Sequence, residues 1–339
     1  MASFVIPSVG LGTARLTEDE VLAAIGAGAR HLDCARIYGN EAAVGAAIKK
    51  SGVPRAELFV TTKVWNDAHR PALARASVLA SLDDLRLDYV DLVLIHWPTS
   101  WKPGTLLVPD TVDLAEDTWP ALGRLVQEGK IKGLGVSNFD VAQLADFLGK
   151  IRPPGAEEPP PHLRCWANQF ECHPLCQNTK LVEFCLEAGV TPIAWGPLAK
   201  ARSAIRHDPR LFTIARMRGW SEFDVALRWN LDRGVVVIPK SSKPANVKAN
   251  LAAKDLPSLK DHEHDLIAQA DTGRRRFPDL IAIWPATAHP LVRFLLAPLI
   301  HCLFTCLFAL YGHNLDACAI AKRIASQREE KAKKKEATS

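Results

Sequence analysis

The 339-residue chain carries little of what marks several protein classes. Its net charge of +5 is mild, and no stripe of Arg and Lys interleaved with aromatics runs through its body, so nucleic acid is not an expected partner. Its cysteines (34, 165, 172, 176, 185, 302, 306 and 318) follow no regular framework, and no cationic start leads into an apolar stretch with a small-residue cleavage site. Reduced thiols in a cytoplasmic protein are the expectation. No G-x-G-x-x-G joins a strand to a helix, since "GLGTARL" at 10–16 lacks that spacing; this argues against a Rossmann domain. What is present, 48% hydrophobic and 23% charged residues, excludes disorder and supplies a sizeable core.

Short apolar runs alternate with helical patterns from the N-terminus, the signature of βα units around a parallel sheet. Strands are expected at 9–13, 31–35, 57–65, 88–98, 131–139, 166–171, 190–195 and 235–240. Helices are expected at about 17–28, 41–50, 70–85, 118–127, 141–148, 179–188, 221–232 and 244–252, the first opened by a capping box of Thr17 and Glu20. The Pro-rich "RPPGAEEPPPH" at 152–162 reads as a surface insertion. Eight strand–helix units in roughly 250 residues fit an α/β fold of the (β/α)8 TIM-barrel type, here over 1–283, with an additional C-terminal helical extension over 284–339.

On a barrel, active sites sit just past the C-terminal strand ends. Four residues fall there: Asp33, Tyr38, Lys63 and His96. Singly, each has an ordinary reading as a cap, a packing residue, a solvated charge or a satisfied polar group. A Lys and a His ending wholly apolar strands are harder to dismiss together, because a buried charge is costly unless paired. The chemistry that suits the set is carbonyl reduction. Hydride added to a carbonyl carbon leaves an alkoxide that needs a proton from a positioned acid. Tyrosine, with an ordinary pKa near 10, is a poor acid until a neighbouring ammonium lowers it and a carboxylate holds that ammonium in place. Tyr38, Lys63 and Asp33 supply those parts, and His96 supplies a hydrogen bond to the carbonyl oxygen.

The motifs "GLGT" (10–13), "LDCARIYGNE" (32–41), "VTTKVW" (60–65), "LIHWP" (94–98), "GVSNF" (135–139), "NQFECHP" (168–174) and "VIPKS" (237–241) follow the order and spacing of the aldo-keto reductases. The resemblance covers about residues 5–283 and implies an NADPH-dependent (β/α)8 enzyme reducing small aldehydes or ketones. It places Asp33, Tyr38, Lys63 and His96 on the family's catalytic tetrad, with Tyr38 as proton donor. It places Ser137, Asn138 and Gln169 at the nicotinamide carboxamide, and Trp195, where the family commonly has Tyr, on the nicotinamide face. Gly196, Leu198, Lys240, Ser241, Lys243 and Asn250 complete the implied cofactor contacts, with Lys240 and Ser241 at the 2′-phosphate and Asn250 near the adenine. Trp65, His96 and Trp97 match the substrate pocket.

Two departures bear on the cofactor. Asn246 stands where Arg is usual and Ala249 where Glu is usual. Arg is the better bidentate phosphate partner, so NADH use beside NADPH is left open, with Lys243 and Lys248 as compensating point charges. At the pocket, Ala14 and Arg15 replace an aromatic often found after the first strand. Arg15 is either a solvated rim residue or a charge favouring acidic substrates. The loops after His96 and Trp195 read as short, giving an open pocket. The three Cys and one His of "CWANQFECHPLC" (165–176) lie toward opposite ends of a strand, so no metal site is expected.

Beyond Trp284 nothing resembles the family. Phe294–Tyr311 is 18 residues long and nearly all apolar, close to the roughly 20 that span a bilayer, with a weakly polar stripe along one side and Pro298 and His301 within it. It reads as a membrane span, a helix lying on a membrane surface, or a helix packed on the barrel or a second subunit. The basic end after Lys322 makes an anionic surface the natural partner in the first two cases. The expected assembly is a monomer or weak dimer. The competing function is a non-catalytic NADPH-binding sensor docked through this tail.

Overall fold

Local sequence starts several helices by satisfying amides that have no partner within the helix. Thr17 and Glu20 form the expected capping box, with Thr17 N donating to Glu20 Oε2 at 2.8 Å and Glu20 N to Thr17 Oγ1 at 3.3 Å. Asp140 with Gln143 and Ser221 with Asp224 repeat the device at two later helices. The structure, a computed structural model, describes residues 4–105, 108–199 and 203–273.

Eight strands lie in chain order in one sheet: β1 Leu11–Gly12, β2 His31–Asp33, β3 Phe59–Val64, β4 Val90–Ile95, β5 Ile131–Ser137, β6 Cys165–Glu171, β7 Thr191–Trp195 and β8 Val236–Ile238. Every neighbouring pair is parallel. The segment just before β1 closes onto β8: Val9 bridges Val237, Gly10 N donates to Val237 O at 2.8 Å and Val237 N to Ser8 O at 2.9 Å. This is the expected (β/α)8 barrel. The helices are α1 Glu18–Gly26, α2 Glu41–Ser51, α3 Pro71–Leu85, α4 Trp119–Gln127, α5 Val141–Lys150, α6 Thr179–Glu187, α7 Ser203–Arg206, α8 Pro209–Arg218, α9 Glu222–Asp232, α10 Pro244–Ala252 and α11 Asp261–Ala268. The main core is the shell between strands and helices, with a smaller cluster of Leu92, Leu94, Ala167, Ile193 and Ile238 inside the barrel.

The strands are shorter than the apolar runs that announce them. The run at 9–13 pairs as a strand only over Leu11–Gly12, 31–35 ends at Asp33 and 235–240 at Ile238. Past those points the chain leaves the ladder for the barrel rim. Three helices escape the sequence reading. In α8 the buried Leu211, Ile214 and Ala215 share the helix with exposed Phe212 and Met217, which blurs the apolar period. The four-residue α7 and the largely polar α11 show still less of one. The Pro-rich connection lies on the surface and is tied down where Trp119 Nε1 donates to Leu163 O at 2.8 Å. The expected boundary at 283, the apolar stretch 294–311 and the basic tail lie outside the described residues. Among the described residues, no helix is long and apolar enough to cross a membrane.

Candidate active site

Strand register brings the polar residues together. Asp33 ends β2 opposite Thr61, so Lys63, two residues further along β3, rises beside it on the same side of its strand. Lys63 Nζ donates to Asp33 Oδ1 at 2.5 Å, to Cys34 O at 2.8 Å and to Tyr38 Oη at 3.5 Å. Asp33 and Lys63 are each 1% exposed, so the ammonium is held by its partners and not by water.

Tyr38 sits on the turn Arg36–Tyr38 between β2 and α2, pinned by Arg36 within the turn and by Asn40 and Glu41 just after it. Arg36 pairs with both Glu41 and Asp84. Asn40 Nδ2 donates to Thr13 O at 2.8 Å and Leu16 O at 2.9 Å. Buried Glu41 accepts from Thr62 Oγ1 at 2.5 Å and Ser81 Oγ at 2.9 Å, fastening the start of α2 to β3 and α3. Gly39 closes the turn at φ 68°, where a Cβ would be strained. His96, just past β4, presents its ring edge-on to Tyr38 at a centroid distance of 6.1 Å and to Trp65 at 4.9 Å.

Burial pulls the Lys63 ammonium down, but Asp33 and Tyr38 outweigh it and hold it above its ordinary value. Burial, then Lys63, then His69 push His96 well below its ordinary value, so its ring is neutral around pH 7. Lys63 does pull the Tyr38 phenol down, as expected, but the net shift is upward. Burial raises the phenol by more than the ammonium lowers it, a desolvation cost that the sequence did not display. The phenol therefore keeps its proton at neutral pH.

A second polar group spans the rim from β5 to β7. Asn138, in the left-handed region at φ 65°, donates from Nδ2 to His96 O at 2.8 Å and Ser137 Oγ at 3.1 Å, and its Oδ1 accepts from Trp195 Nε1 at 2.9 Å. Ser137 Oγ donates to Gln169 O at 2.7 Å, and Gln169 Nε2 to Asp33 Oδ2 at 2.8 Å. All eight of Asp33, Tyr38, Lys63, His96, Ser137, Asn138, Gln169 and Trp195 thus meet in one connected set.

The remaining expected positions lie around this set. Gly196 (φ 61°) and Leu198 form the turn after Trp195. Lys240 follows β8, and Ser241 Oγ accepts from Lys243 N at 3.1 Å just before α10, which carries Asn246, Ala249 and Asn250. Partial burial and the charge of Arg15 lower the Lys240 ammonium below its ordinary value. Arg15 therefore stands on the β1–β8 side of the rim with Lys240, a placement the sequence reading did not foresee. Trp97 is half-buried beside His96.

The loop after His96 is not short. Residues 97–113 separate it from the next helical turn at Leu114, and an antiparallel bridge pairs Trp101 with Pro109. Trp101 packs on Trp65 at 5.6 Å, and Arg70 clamps the loop through Asp110 at 2.8 and 3.2 Å. The connection after Trp195 likewise contains α7 and α8. Sequence reasoning missed Trp101, whose only signal was an aromatic in a polar loop. It also missed Cys34 O and the turn-fixing Arg36 and Glu41, because main-chain acceptors and pairings across elements leave no local pattern. The five described cysteines (34, 165, 172, 176 and 185) are free thiols.

A buried ammonium–carboxylate pair thus meets a half-buried phenol and a neutral imidazole at the mouth of an eight-stranded barrel, the set expected of a carbonyl-reducing site. The aldo/keto reductase family model matches residues 9–272, and the chain belongs to that family. It is 35% identical to aldo-keto reductase family 1 member A1 of Xenopus tropicalis, over 82% of this chain and 89% of the relative. It is also 35% identical to glycerol 2-dehydrogenase (NADP(+)) of Hypocrea jecorina, over 83% and 95%. Among solved structures, the aldose reductase of Schistosoma japonicum superposes with a TM-score of 0.72 at 32% identity, over 80% of this chain and 91% of that one.

Proposed function

We propose that the protein reduces the carbonyl of small aldehydes or ketones to alcohols with NADPH, with Tyr38 as the acid. The observation that carries the reading is the Asp33–Lys63–Tyr38 arrangement, in which a buried ammonium lies 3.5 Å from a protonated phenol. When bound, the cofactor supplies the hydride. The Tyr38 O–H bond breaks as its proton passes to the carbonyl oxygen, and Lys63, charged and anchored by Asp33, stabilises the tyrosinate left behind. His96 donates a hydrogen bond to the same oxygen from its neutral ring.

The residues present fit a nicotinamide dinucleotide phosphate. Asn138 Oδ1 retains a lone pair suited to an amide N–H beyond the one taken by Trp195, and Ser137 and Gln169 adjoin it. The half-buried indole of Trp195 matches a planar ring. Lys240 with Arg15, followed by Ser241 and Lys243, suits phosphate groups. The NADP(+) in the name of the Hypocrea relative agrees with that choice. With Asn246 and Ala249 in α10, selectivity against NADH rests on lysine point charges and not on an arginine fork. Trp65 and Trp97 form the substrate wall, backed by Trp101.

The test is oxidation of NADPH by the full chain with a panel of aldehydes, followed by absorbance, beside a Tyr38→Phe variant. The expected result is saturable turnover in the wild type and a loss of at least about 100-fold in the variant with NADPH binding kept, the scale of one general acid. Tight NADPH binding with no turnover on any carbonyl would instead make the protein a sensor.

A further inference from the structure

The tetrad and the cofactor side of the rim are parts of one hydrogen-bonded chain, and one residue closes it. From Lys63 the chain runs through Asp33 to Gln169 Nε2 (2.8 Å), from the Gln169 carbonyl to Ser137 Oγ (2.7 Å), from Ser137 to Asn138 Nδ2 (3.1 Å), and from that same amide nitrogen to the His96 carbonyl (2.8 Å). The backbone of His96 is held from the other side too, its N–H donating to Val64 O at 3.1 Å. Asn138 is therefore the junction between the carboxylate branch and the imidazole branch.

That junction is under stress of a defined kind. Asn138 occupies the left-handed region at φ 65°, uncommon for a residue with a Cβ although Asn tolerates it better than most. An Asn amide also has two faces of similar shape, and a flip would turn its oxygen toward the His96 carbonyl and Ser137 Oγ. Such a flip would set two acceptors against each other at the His96 carbonyl. Trp195 Nε1, a donor that can never accept, contacts Oδ1 at 2.9 Å and rewards only one of the two orientations.

The geometry points to Trp195 as a positioning residue: its indole N–H locks the Asn138 amide so that Asn138 holds the His96 carbonyl, and hence the imidazole, in place. A phenol or benzyl ring at this position supplies a stacking surface without an indole donor there. The inference rests on the proposed carbonyl reduction, because it assigns a consequence to the placement of His96, and its test separates the two.

One measurement needs neither cofactor nor substrate. In the NADPH-free protein, NMR on 15N-labelled full-length chain, with the Trp195 indole signal assigned by its absence in Trp195→Phe, should show that proton exchanging with water at least 10-fold faster in Asn138→Gly, a variant that also relieves the strained φ. A second measurement is a double-mutant cycle on Trp195→Phe, Asn138→Gly and their combination, reading turnover at saturating NADPH together with the NADPH dissociation constant from fluorescence. The expected result is a fall of about 10-fold in turnover for Trp195→Phe at saturating cofactor, and a double variant no slower than Asn138→Gly alone. Additive losses, a loss confined to NADPH affinity, or an indole proton equally labile with and without Asn138 would each overturn the linkage. Circular dichroism on each variant screens for misfolding, and if Asn138→Gly fails to fold, Asn138→Asp, which keeps the acceptor but loses the amide donor, takes its place: the indole proton should then stay protected while turnover falls as in Trp195→Phe, and unchanged turnover would overturn the linkage. A wild type that binds NADPH but reduces no carbonyl rejects the proposed function while leaving the exchange measurement to judge the hydrogen bond.

Discussion

Tyr38 and His96 are tuned by burial in ways that set the pH behaviour of the site. The phenol lies above its ordinary value, so if Tyr38 is the acid of the proposed reduction, raising the pH removes it only beyond the ordinary tyrosine range near 10. His96 lies well below 6.5, so acidification does not charge the ring that the proposed reduction uses as a neutral donor until far below neutrality. Under saturating substrate, the reduction rate should be flat from about pH 6 to 9, falling only above. A rate-controlling inflection near 6.5 that vanishes in a His96 variant would contradict this description. At this scale much of the site was legible. Asp33, Tyr38, Lys63 and His96 stood out because polar groups ending apolar strands need a reason to be there. The raised phenol was not legible, because desolvation depends on what surrounds a group from every side.

Between α2 and α3, contact is close enough that a single methyl group matters. A Cβ on Gly45 would stand 2.4 Å from Leu85 O and 2.7 Å from Asp84 O, both backbone atoms that cannot swing away. Gly45→Ala should cost about 3 kcal/mol in a urea titration, the scale of overpacking, and should also slow turnover, because the same two helices anchor Tyr38 through Arg36–Asp84 and Glu41–Ser81. Unchanged stability would mean that the helices separate freely. The loop after β4 offers a second element-scale test. His69, 1% exposed, binds Ser100 Oγ at 3.0 Å, and burial pushes its ring down to about 4. The unfolded chain binds that proton near 6.5, so the stability His69 provides is full above 6.5, is lost as pH falls from 6.5 toward 4, and changes no further below. The loss amounts to about 3 kcal/mol, and His69→Gln should flatten the fall in urea midpoints over that interval, leaving the part due to His31 and His96, which shift the same way. A variant with the same acid sensitivity as the wild type would exonerate His69. Helix starts with capping boxes were readable because their hydrogen bonds are local, whereas α8 was not, since a helix with exposed Phe212 and Met217 hides its period.

Cofactor binding should register in the stability of the whole barrel, because Lys240 and Arg15, two like charges near each other beside the first and last strands, gain an anion that relieves their repulsion. At one hundred times its dissociation constant, NADPH adds about 2.7 kcal/mol, or roughly 5 to 10 °C in Tm for a domain of this size. At equal concentration NADH should shift Tm less, and Lys240→Met should shrink the difference. Equal shifts for both cofactors in wild type and variant would remove the phosphate from this corner of the rim. The sequence by itself determined the alternation of strands and helices, the barrel class, and which residue types crowd the strand ends, since periodicity, capping and motif spacing act over a few positions. Only the tertiary structure decided that Gln169 reaches Asp33, 136 positions away, that Trp195 grips Asn138, that Arg15 sides with Lys240 and that the loop after His96 folds back so that Trp101 meets Trp65. Those outcomes depend on barrel closure, which brings distant strand ends within hydrogen-bond reach and fixes how much water each group loses.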